Sequence, residues 1–180
     1  QTPLISPSIS PTPPPAIIIN SCREIIESGK YILGKDIHSP KDTCLNIHDM
    51  TDIELNCNNH IISADYAHNG ALNVKNVNNF SIKSCVLKAN IGINNRSDGT
   101  SFPVLWPAFS LTNSNNSTIT ENTIQGMWVN SDGDGSIPNT SSTNLNIHHN
   151  TFVGGGYMQS YTRNSFISNN TMSLAAGKDQ

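Results

Sequence analysis

A seven-residue pattern of apolar and polar positions occurs four times in the chain from residue 81 onward. The copies are residues 81–87 (SIKSCVL), 118–124 (TITENTI), 146–152 (NIHHNTF) and 166–172 (FISNNTM). In each copy the second residue is Ile, the fifth is Cys or Asn, and the seventh is apolar. Side chains on a straight strand share a face only at even separations, so apolar residues five apart both reach a core only if the chain turns between them. Each copy is therefore predicted to form a strand, a corner and a second strand.

The fifth residue of each copy is assigned to the corner, because Asn tolerates left-handed backbone angles and hydrogen-bonds locally. These residues are Cys85, Asn122, Asn150 and Asn170. Stacking of the copies would place them above one another in an Asn/Cys ladder, with amides bonded along the stack. The repeat thus predicts an all-β solenoid with a core column of Ile, Leu, Val and Phe.

The copies are unequally spaced, so the longer intervals must contain insertions. The insertions are residues 63–70, 94–107, 130–143 and 154–163. Each is predicted to follow the second strand of one coil and to precede the first strand of the next. Insertions at equivalent positions emerge on the same flank of a solenoid, and that flank is often the binding face.

The N-terminal region is predicted to contain a tail and a cap. Residues 1–20 open with a Pro/Ser/Thr run that favours an extended polyproline II spacer, which leaves residues 21–180 for the β domain. Residues 21–24 (SCRE) have the spacing of a capping box, and Gly29 suits the end of a short helix. The alternative is a first strand through residues 31–33. Either element would make residues 21–37 a cap over the end of the solenoid.

Composition excludes several classes of protein. The chain is 36% hydrophobic and 13% charged, with a net charge of −3. Intrinsic disorder usually combines low hydrophobicity with high net charge, which this chain lacks. No basic stripe is present that would suit a nucleic-acid partner, and no apolar run is long enough to span a membrane.

Cysteines and glycosylation motifs favour export, so we expect a secreted or cell-surface protein. The cysteines form an even set without metal-site spacing, which suits two disulfides, whereas four reduced core thiols are the alternative. They are Cys22, Cys44, Cys57 and Cys85. The motif Asn-x-Ser/Thr marks candidate glycosylation sites. These sites are Asn79, Asn95, Asn115, Asn116, Asn139 and Asn169.

Three motifs in the N-terminal half are GKYIL at residues 29–33, TCLNI at 43–47 and LNCNNHII at 55–62. They resemble G-x-Y-x-L, T-C-I-x-I and L-D-C-N-G-H-x-I in secreted right-handed parallel β-helix repeat proteins related to pectate lyases. Asn56 and Asn59 depart from that pattern, which usually has Asp and Gly there. The resemblance implies a right-handed parallel β-helix of about five coils with an N-terminal cap. Its function stays open, because this fold hosts lyases, hydrolases, epimerases, adhesins and non-catalytic proteins.

Successive coils of such a helix would bring Cys57 beside Cys85, which leaves Cys22 for Cys44. This is one of the three connectivities that four cysteines allow.

The insertions and their margins contain most of the side chains that suit a sugar ligand. Aromatic rings beside hydrogen-bonding groups match the apolar face and polar rim of a sugar; packing of both Trp side chains onto the helix body is the alternative. The candidate carbohydrate-binding residues are Trp106, Trp128, Tyr157, Tyr161 and Arg163. Asp132 and Asp134 could supply oxygen ligands to Ca²⁺, or could belong to a Gly-Asp turn.

Two functions of different classes follow. The leading hypothesis is an exported domain that recognises or processes a polysaccharide or glycan. No catalytic residue is assigned, because the predicted coil strands contain almost no paired carboxylates of the kind that a glycoside hydrolase needs. If the protein is an enzyme, a polysaccharide lyase or glycoside hydrolase is expected. The alternative is a structural subunit of an extracellular fibre or surface layer, which self-associates through solenoid ends and the Pro-rich tail. A third expectation is a fragment of a longer β-helix.

Overall fold

The computed structural model describes residues 14–65, 70–89, 91–95, 101–105, 107–129, 141–154 and 162–173. Every regular element in these ranges is a strand, and no helix that could cross a membrane is found in them. In chain order the strands are β1 (Ile17–Ile19), β2 (Arg23–Ile25), β3 (Gly29–Leu33), β4 (Ile37–Ser39), β5 (Leu45–Asn56), β6 (Ile61–Ala64), β7 (Leu72–Lys83), β8 (Val86–Ala89), β9 (Ile91–Asn95), β10 (Ser101–Leu105), β11 (Phe109–Thr112), β12 (Thr118–Thr120), β13 (Thr123–Ile124), β14 (Met127–Val129), β15 (Ser142–Thr143), β16 (Asn146–His148), β17 (Thr151–Val153), β18 (Thr162–Arg163), β19 (Phe166–Ser168) and β20 (Thr171–Ser173).

Two parallel sheets contain most of these strands. The ten-stranded sheet consists of β1, β2, β3, β5, β7, β11, β12, β14, β16 and β19, and the six-stranded sheet of β4, β6, β8, β13, β17 and β20. The chain alternates between them: β5, β7, β12, β16 and β19 are each followed directly by a strand of the six-stranded sheet. The all-β, parallel architecture expected from the repeat is therefore confirmed. We call the strands contributed by one repeat a rung.

Strand register places the four repeat copies directly on one another, together with one earlier rung. One row of Cα partners runs along the ten-stranded sheet and consists of Leu55, Ile82, Ile119, Ile147 and Ile167. A second row runs along the six-stranded sheet and consists of Ile62, Leu87, Ile124, Phe152 and Met172. Most of these side chains are buried, so the two rows form much of the core. Truncation of a buried Ile to Ala costs about 2–5 kcal/mol of stability.

Left-handed residues mark the bend between the two sheets, which we call the buried corner. In the four repeat copies they are Ser84 (φ 53°), Glu121 (φ 57°), His149 (φ 55°) and Asn169 (φ 52°), and in the rung before them Asn58 (φ 49°) and Asn59 (φ 66°). The assignment of the left-handed angle to Cys85 and the ladder asparagines was therefore wrong by one residue. Asn is selected at the next position for its side chain, because its amide there lies in the core and needs partners from the neighbouring rungs.

The predicted amide ladder is present at this corner. The Asn150 carboxamide oxygen accepts from both the backbone N and the Nδ2 of Asn122 at 3.0 Å. Asn150 Nδ2 donates to the Ile119 carbonyl at 2.8 Å and to the Asn170 oxygen at 3.0 Å. On the other side, Asn122 accepts from the Cys85 backbone N at 2.9 Å. The ladder thus satisfies backbone groups that the bend would leave unpaired inside the protein.

Both disulfides expected from the sequence are present. Cys57 pairs with Cys85, and Cys22 pairs with Cys44, across sequence separations of 28 and 22 residues. Cys57 and Cys85 are buried and lie at the buried corner, where they continue the asparagine stack toward the N-terminus. A covalent bond therefore replaces the amide contacts in the first part of this ladder.

A second bend interrupts β5 and β7, and we call it the exposed corner. Here the left-handed residues are themselves the Asp and Asn residues whose side chains bond along the stack. They are Asp49, Asp52, Asn76, Asn79, Asn113, Asn116 and Asn144. Asn76 donates to Asp49, and Asn113 to Asn76, both at 2.8 Å. Asn144 donates to Asn116 at 2.9 Å. Apolar residues alternate with polar ones on both sides of the bend, which keeps each half of the long strand facing the core.

The N-terminal segment contains strands in place of the expected helix. Residues 23–25 form β2 and residues 29–33 form β3, both parallel to β5. The helix from residue 21 to Gly29 is therefore wrong, and the alternative first strand agrees with the structure. Pairing with neighbouring strands outweighed the capping-box spacing. The sheet also includes Ile17–Ile19, so it begins before the predicted domain boundary at residue 20.

The insertions depart in part from the predicted common position. The second contains an antiparallel hairpin, β9 with β10, between the six-stranded sheet and β11. The third, predicted at residues 130–143, follows β14, which pairs with β11 in the ten-stranded sheet. It therefore starts one strand later than predicted, after a strand that the seven-residue pattern does not contain.

Candidate functional site

An open groove lies against the outer surface of β3, β5 and β7. It encloses about 320 Å³ and is lined by Pro14, Gly29, Lys30, Asp52, Ile53, Glu54, Asn79 and Ser81. All of these residues except Pro14 belong to the three parallel strands. The groove is therefore built on strand backbones whose positions are fixed by the sheet.

Strand alternation places the groove side chains on the solvent side. Lys30, Glu54 and Ser81 are Cα partners on adjacent strands. The residues that follow them, Tyr31, Leu55 and Ile82, are buried. Neighbouring residues of a strand point to opposite faces. Because these three side chains point into the core, the side chains of the residues before them point into the groove.

The exposed corner forms the adjoining wall. Asp52 and Asn79 lie there in left-handed conformations, with φ of 55° and 61°. Asn79 Nδ2 donates to Asp52 Oδ1 at 2.5 Å, and the Thr51 hydroxyl donates to Asp52 Oδ2 at 3.2 Å. The positions of the Asp52 carboxylate and the Asn79 amide are therefore set by each other.

Charges in and beside the groove are largely paired. Glu54 Oε2 lies 3.0 Å from Lys30 Nζ, and Glu54 Oε1 lies 3.8 Å from Lys83 Nζ on the next strand. These groups are solvent-exposed, so the pairs add little to stability. They matter mainly because they determine the charge that a ligand in the groove would meet.

A second polar cluster lies on β2 and the first half of β5. His48 bonds to Glu24 through Nε2, and its Nδ1 lies 2.9 Å from Asp49 Oδ2. The hydrogen bonds to Asp49 and Glu24 raise the pKa of His48. Hydrogen bonds from Asn76 and His48 lower the pKa of Asp49. Both His48 nitrogens are thus engaged, and no group of three or more metal-ligating side chains suited to an ion is found within the described ranges.

Other histidines make similar but separate contacts. His60 Nδ1 lies 3.0 Å from Asp36 Oδ1. The backbone N–H of Ile61 and the His60 ring hold the pKa of Asp36 below its usual value. The adjacent histidines of the third copy bond to each other, with Nδ1 of His148 and His149 2.7 Å apart. Each pair links neighbouring side chains at the surface.

The carbohydrate-binding residues predicted from the sequence fall mostly outside the described residues. Trp106, Tyr157 and Tyr161 lie there, as do the calcium candidates Asp132 and Asp134. Trp128 belongs to β14, opposite Ser110 in register, and its side chain is not described. Arg163 is exposed on β18, opposite Thr143.

The candidate glycosylation sites lie in several environments. Asn79 and Asn116 are exposed, yet their side-chain amides donate to Asp52 and Asn78. Asn115 is partly buried and accepts from Thr143. Asn169 is exposed at the buried corner, Asn95 belongs to β9, and Asn139 lies outside the described residues.

The groove was not found from the sequence. Its signal was the pair of carboxylates two residues apart at Asp52 and Glu54, with Lys30 and Ser81 one repeat away on either side. Only knowledge of the register brings these residues together. No protein-family model, no curated protein and no solved structure matches this chain.

Proposed function

We propose that this chain is an exported right-handed parallel β-helix of about five coils, and that it binds carbohydrate. Three features support the β-helix: parallel pairing in both sheets, regular alternation of the chain between them, and left-handed corners that recur in register. The two disulfides support export, because such bonds persist mainly in oxidising compartments.

The single observation that carries the proposed activity is the groove on β3, β5 and β7. It offers hydroxyl, amide, ammonium and carboxylate groups within one open surface of about 320 Å³. Sugars present many hydroxyls that both donate and accept, so they need a mixed set of donors and acceptors. The Pro14 ring adds an apolar surface against which the C–H face of a sugar can lie.

The aromatic insertions are proposed as an extension of this binding surface. Trp106, Trp128, Tyr157, Tyr161 and Arg163 remain predicted contacts for a glycan. A Ca²⁺ ion at Asp132 and Asp134 also remains a proposal. No catalytic step is proposed, because the groove suggests recognition and does not identify a reacting pair.

A glycan array, followed by isothermal titration with the best ligand, tests the proposed activity. The variant Asn79→Gly combined with Ser81→Ala removes two groove side chains, and Gly retains the left-handed angle at residue 79. We expect Kd to rise about tenfold, as for the loss of one or two hydrogen bonds. The matched control is Asn144→Gly, which changes the same corner away from the groove. Absence of any glycan ligand, or equal affinity of both variants, would contradict the proposal.

A role in an assembly is the second candidate, and it rests on a different observation. Three large apolar side chains are exposed in the last rung of the two sheets: Phe166 by 64%, Ile167 by 44% and Met172 by 73%. At the other end of the ten-stranded sheet, Ile18 of β1 is 63% exposed. Because every pairing in this sheet is parallel, β1 of a second copy could continue the sheet beyond β19.

Light scattering and electron microscopy test this second candidate. We expect rods whose length increases with protein concentration. The double variant Ile167→Lys/Met172→Lys should abolish them, whereas Lys88→Glu, on the side of the six-stranded sheet, should not. A strict monomer at high concentration would exclude assembly without affecting the carbohydrate proposal.

A further inference from the structure

The charges of the groove indicate which kind of sugar it accepts. Its lining contains two carboxylates, Asp52 and Glu54, and one ammonium group, Lys30. Lys83 lies on the next strand, within 3.8 Å of Glu54. The lining alone is therefore net negative, and with Lys83 it is neutral.

Both lysines already have a carboxylate partner, with which an anionic ligand would compete. Both approach the same carboxylate, with Lys30 3.0 Å from one oxygen of Glu54 and Lys83 3.8 Å from the other. A ligand carboxylate would compete for these lysines with Glu54, which its place on β5 keeps beside them. Recognition of carboxylates generally uses an Arg fork or an unpaired Lys, and the described lining has neither.

The second carboxylate acts in the same direction. Among the described residues, Asp52 is bonded to neutral partners, the Asn79 amide and the Thr51 hydroxyl. No ion pair of Asp52 is found within the described ranges, so its charge adds to the negative charge of the groove wall. An acidic sugar placed between Asp52 and Glu54 would meet like charges on two sides, and this repulsion would weaken binding.

Uncharged sugars avoid both costs. Their hydroxyls can donate to the Asp52 and Glu54 carboxylates, which are strong acceptors, and can accept from Asn79 and Ser81. We infer that the groove selects neutral glycan residues and discriminates against uronic acids. This inference rests on the proposed carbohydrate-binding function and specifies its ligand class.

The test uses pairs of oligosaccharides that differ only in charge. Neutral gluco-, manno- and galacto-hexasaccharides are titrated against the intact chain beside the corresponding glucuronate, mannuronate and galacturonate oligomers. We expect at least one neutral oligomer to bind about tenfold tighter than its uronate counterpart at low salt. The difference should narrow at high salt, because salt screens repulsion between exposed charges.

The variant Glu54→Gln reverses the selection if the inference is correct. It releases Lys30 and Lys83 and removes one repelling charge, so uronate affinity should rise about tenfold, whereas neutral oligomers should bind more weakly because an amide oxygen is a poorer acceptor than a carboxylate. Glu27→Gln is the control, since it removes an exposed carboxylate outside the groove.

The outcomes separate the inference from the function on which it rests. If no oligosaccharide of either class binds, the carbohydrate-binding function fails. If uronates bind as tightly as neutral oligomers or more tightly, the function stands and the inference is overturned. If Glu54→Gln does not increase uronate affinity, the paired lysines are not the cause of the selection, and the inference is overturned as well.

Discussion

In the last three repeat copies the left-handed residues of the buried corner are Glu121, His149 and Asn169, and the ladder amides belong to the residues that follow them. At the exposed corner the ladder side chains come from left-handed Asp and Asn residues themselves. The same residue type thus serves two needs. Inside, its amide replaces missing backbone hydrogen bonds; outside, its short polar side chain makes a left-handed angle tolerable.

This difference predicts where stability resides. Substitution of a buried ladder residue leaves its former hydrogen-bond partners unsatisfied in the core. At the exposed corner water can take the place of the lost side chain. Substitutions at the buried corner should therefore be costly, and matched substitutions at the exposed corner should be mild.

The largest effect is expected for the disulfide at the buried corner. Removal of Cys57–Cys85 by double substitution with Ala should cost about 3.5 kcal/mol from chain entropy alone, with a further loss from core packing. The Cys22–Cys44 bond closes a loop of similar length, 22 against 28 residues, but Cys22 is only partly buried. Its loss should be smaller. Guanidinium unfolding of both double variants measures the difference, and a larger loss for Cys22–Cys44 would contradict the comparison.

Asn150→Ala should follow, with a loss of about 3 kcal/mol in the free energy of unfolding. It removes the acceptor of the Asn122 backbone N and the donor to the Ile119 carbonyl, both in the protein interior. The matched change at the exposed corner is Asn144→Ala, for which we expect about 1 kcal/mol, mostly from the left-handed angle. Urea unfolding of the two variants decides this, and equal losses would refute the distinction between the corners.

A change of opposite sign is expected for Glu121→Gly. Glu121 is exposed with φ 57°, a conformation that Gly adopts without strain. We expect stabilisation by about 0.5 kcal/mol, since relief of strain exceeds the added freedom of the unfolded chain. Asn116→Gly at the exposed corner should not stabilise, because it also removes the bonds to Asn78 and Asn144. Thermal melts of both variants test this, and a gain for Asn116→Gly would show that its ladder bonds contribute nothing.

The smallest effect concerns pH and should be confined to the exposed corner. Because the folded pKa of His48 is raised, protonated His48 stabilises the fold below its unfolded pKa, and this contribution is lost as pH rises through the folded pKa. The Tm difference between wild type and His48→Gln should therefore shrink from about pH 5.5 to about pH 8.5. Asp49, with a lowered pKa, stays ionised across this range. The penalty of Asn150→Ala should not change over the same range, because its partners do not titrate.

Much of the fold could be predicted from local pattern. The spacing from Ile82 to Leu87 required a bend, and the same spacing in three further copies gave the register that the sheets display. The identity of the left-handed residue could not be found in this way, because Ser84 and Glu121 are not of the residue types that usually adopt a positive φ.

Elements without a repeated signal were the ones misjudged. Residues 21–24 satisfy a local rule for helix initiation, yet β2 gains pairing with β5, a contact between residues far apart in sequence. Strand β14 has only three residues and lies outside the seven-residue pattern. The groove likewise depends on which residues of β3, β5 and β7 become neighbours, and no single segment contains that information.

The buried ladder also has a direction. The Asn150 side chain completes the rung before it, by bonding the Asn122 N–H and the Ile119 carbonyl, and Asn170 does the same for the rung of Asn150. During synthesis the N-terminal part of a chain emerges first, so the interior of each rung would be fully hydrogen-bonded only after the next rung has left the ribosome. Each rung would thus be completed by the one that is synthesised after it.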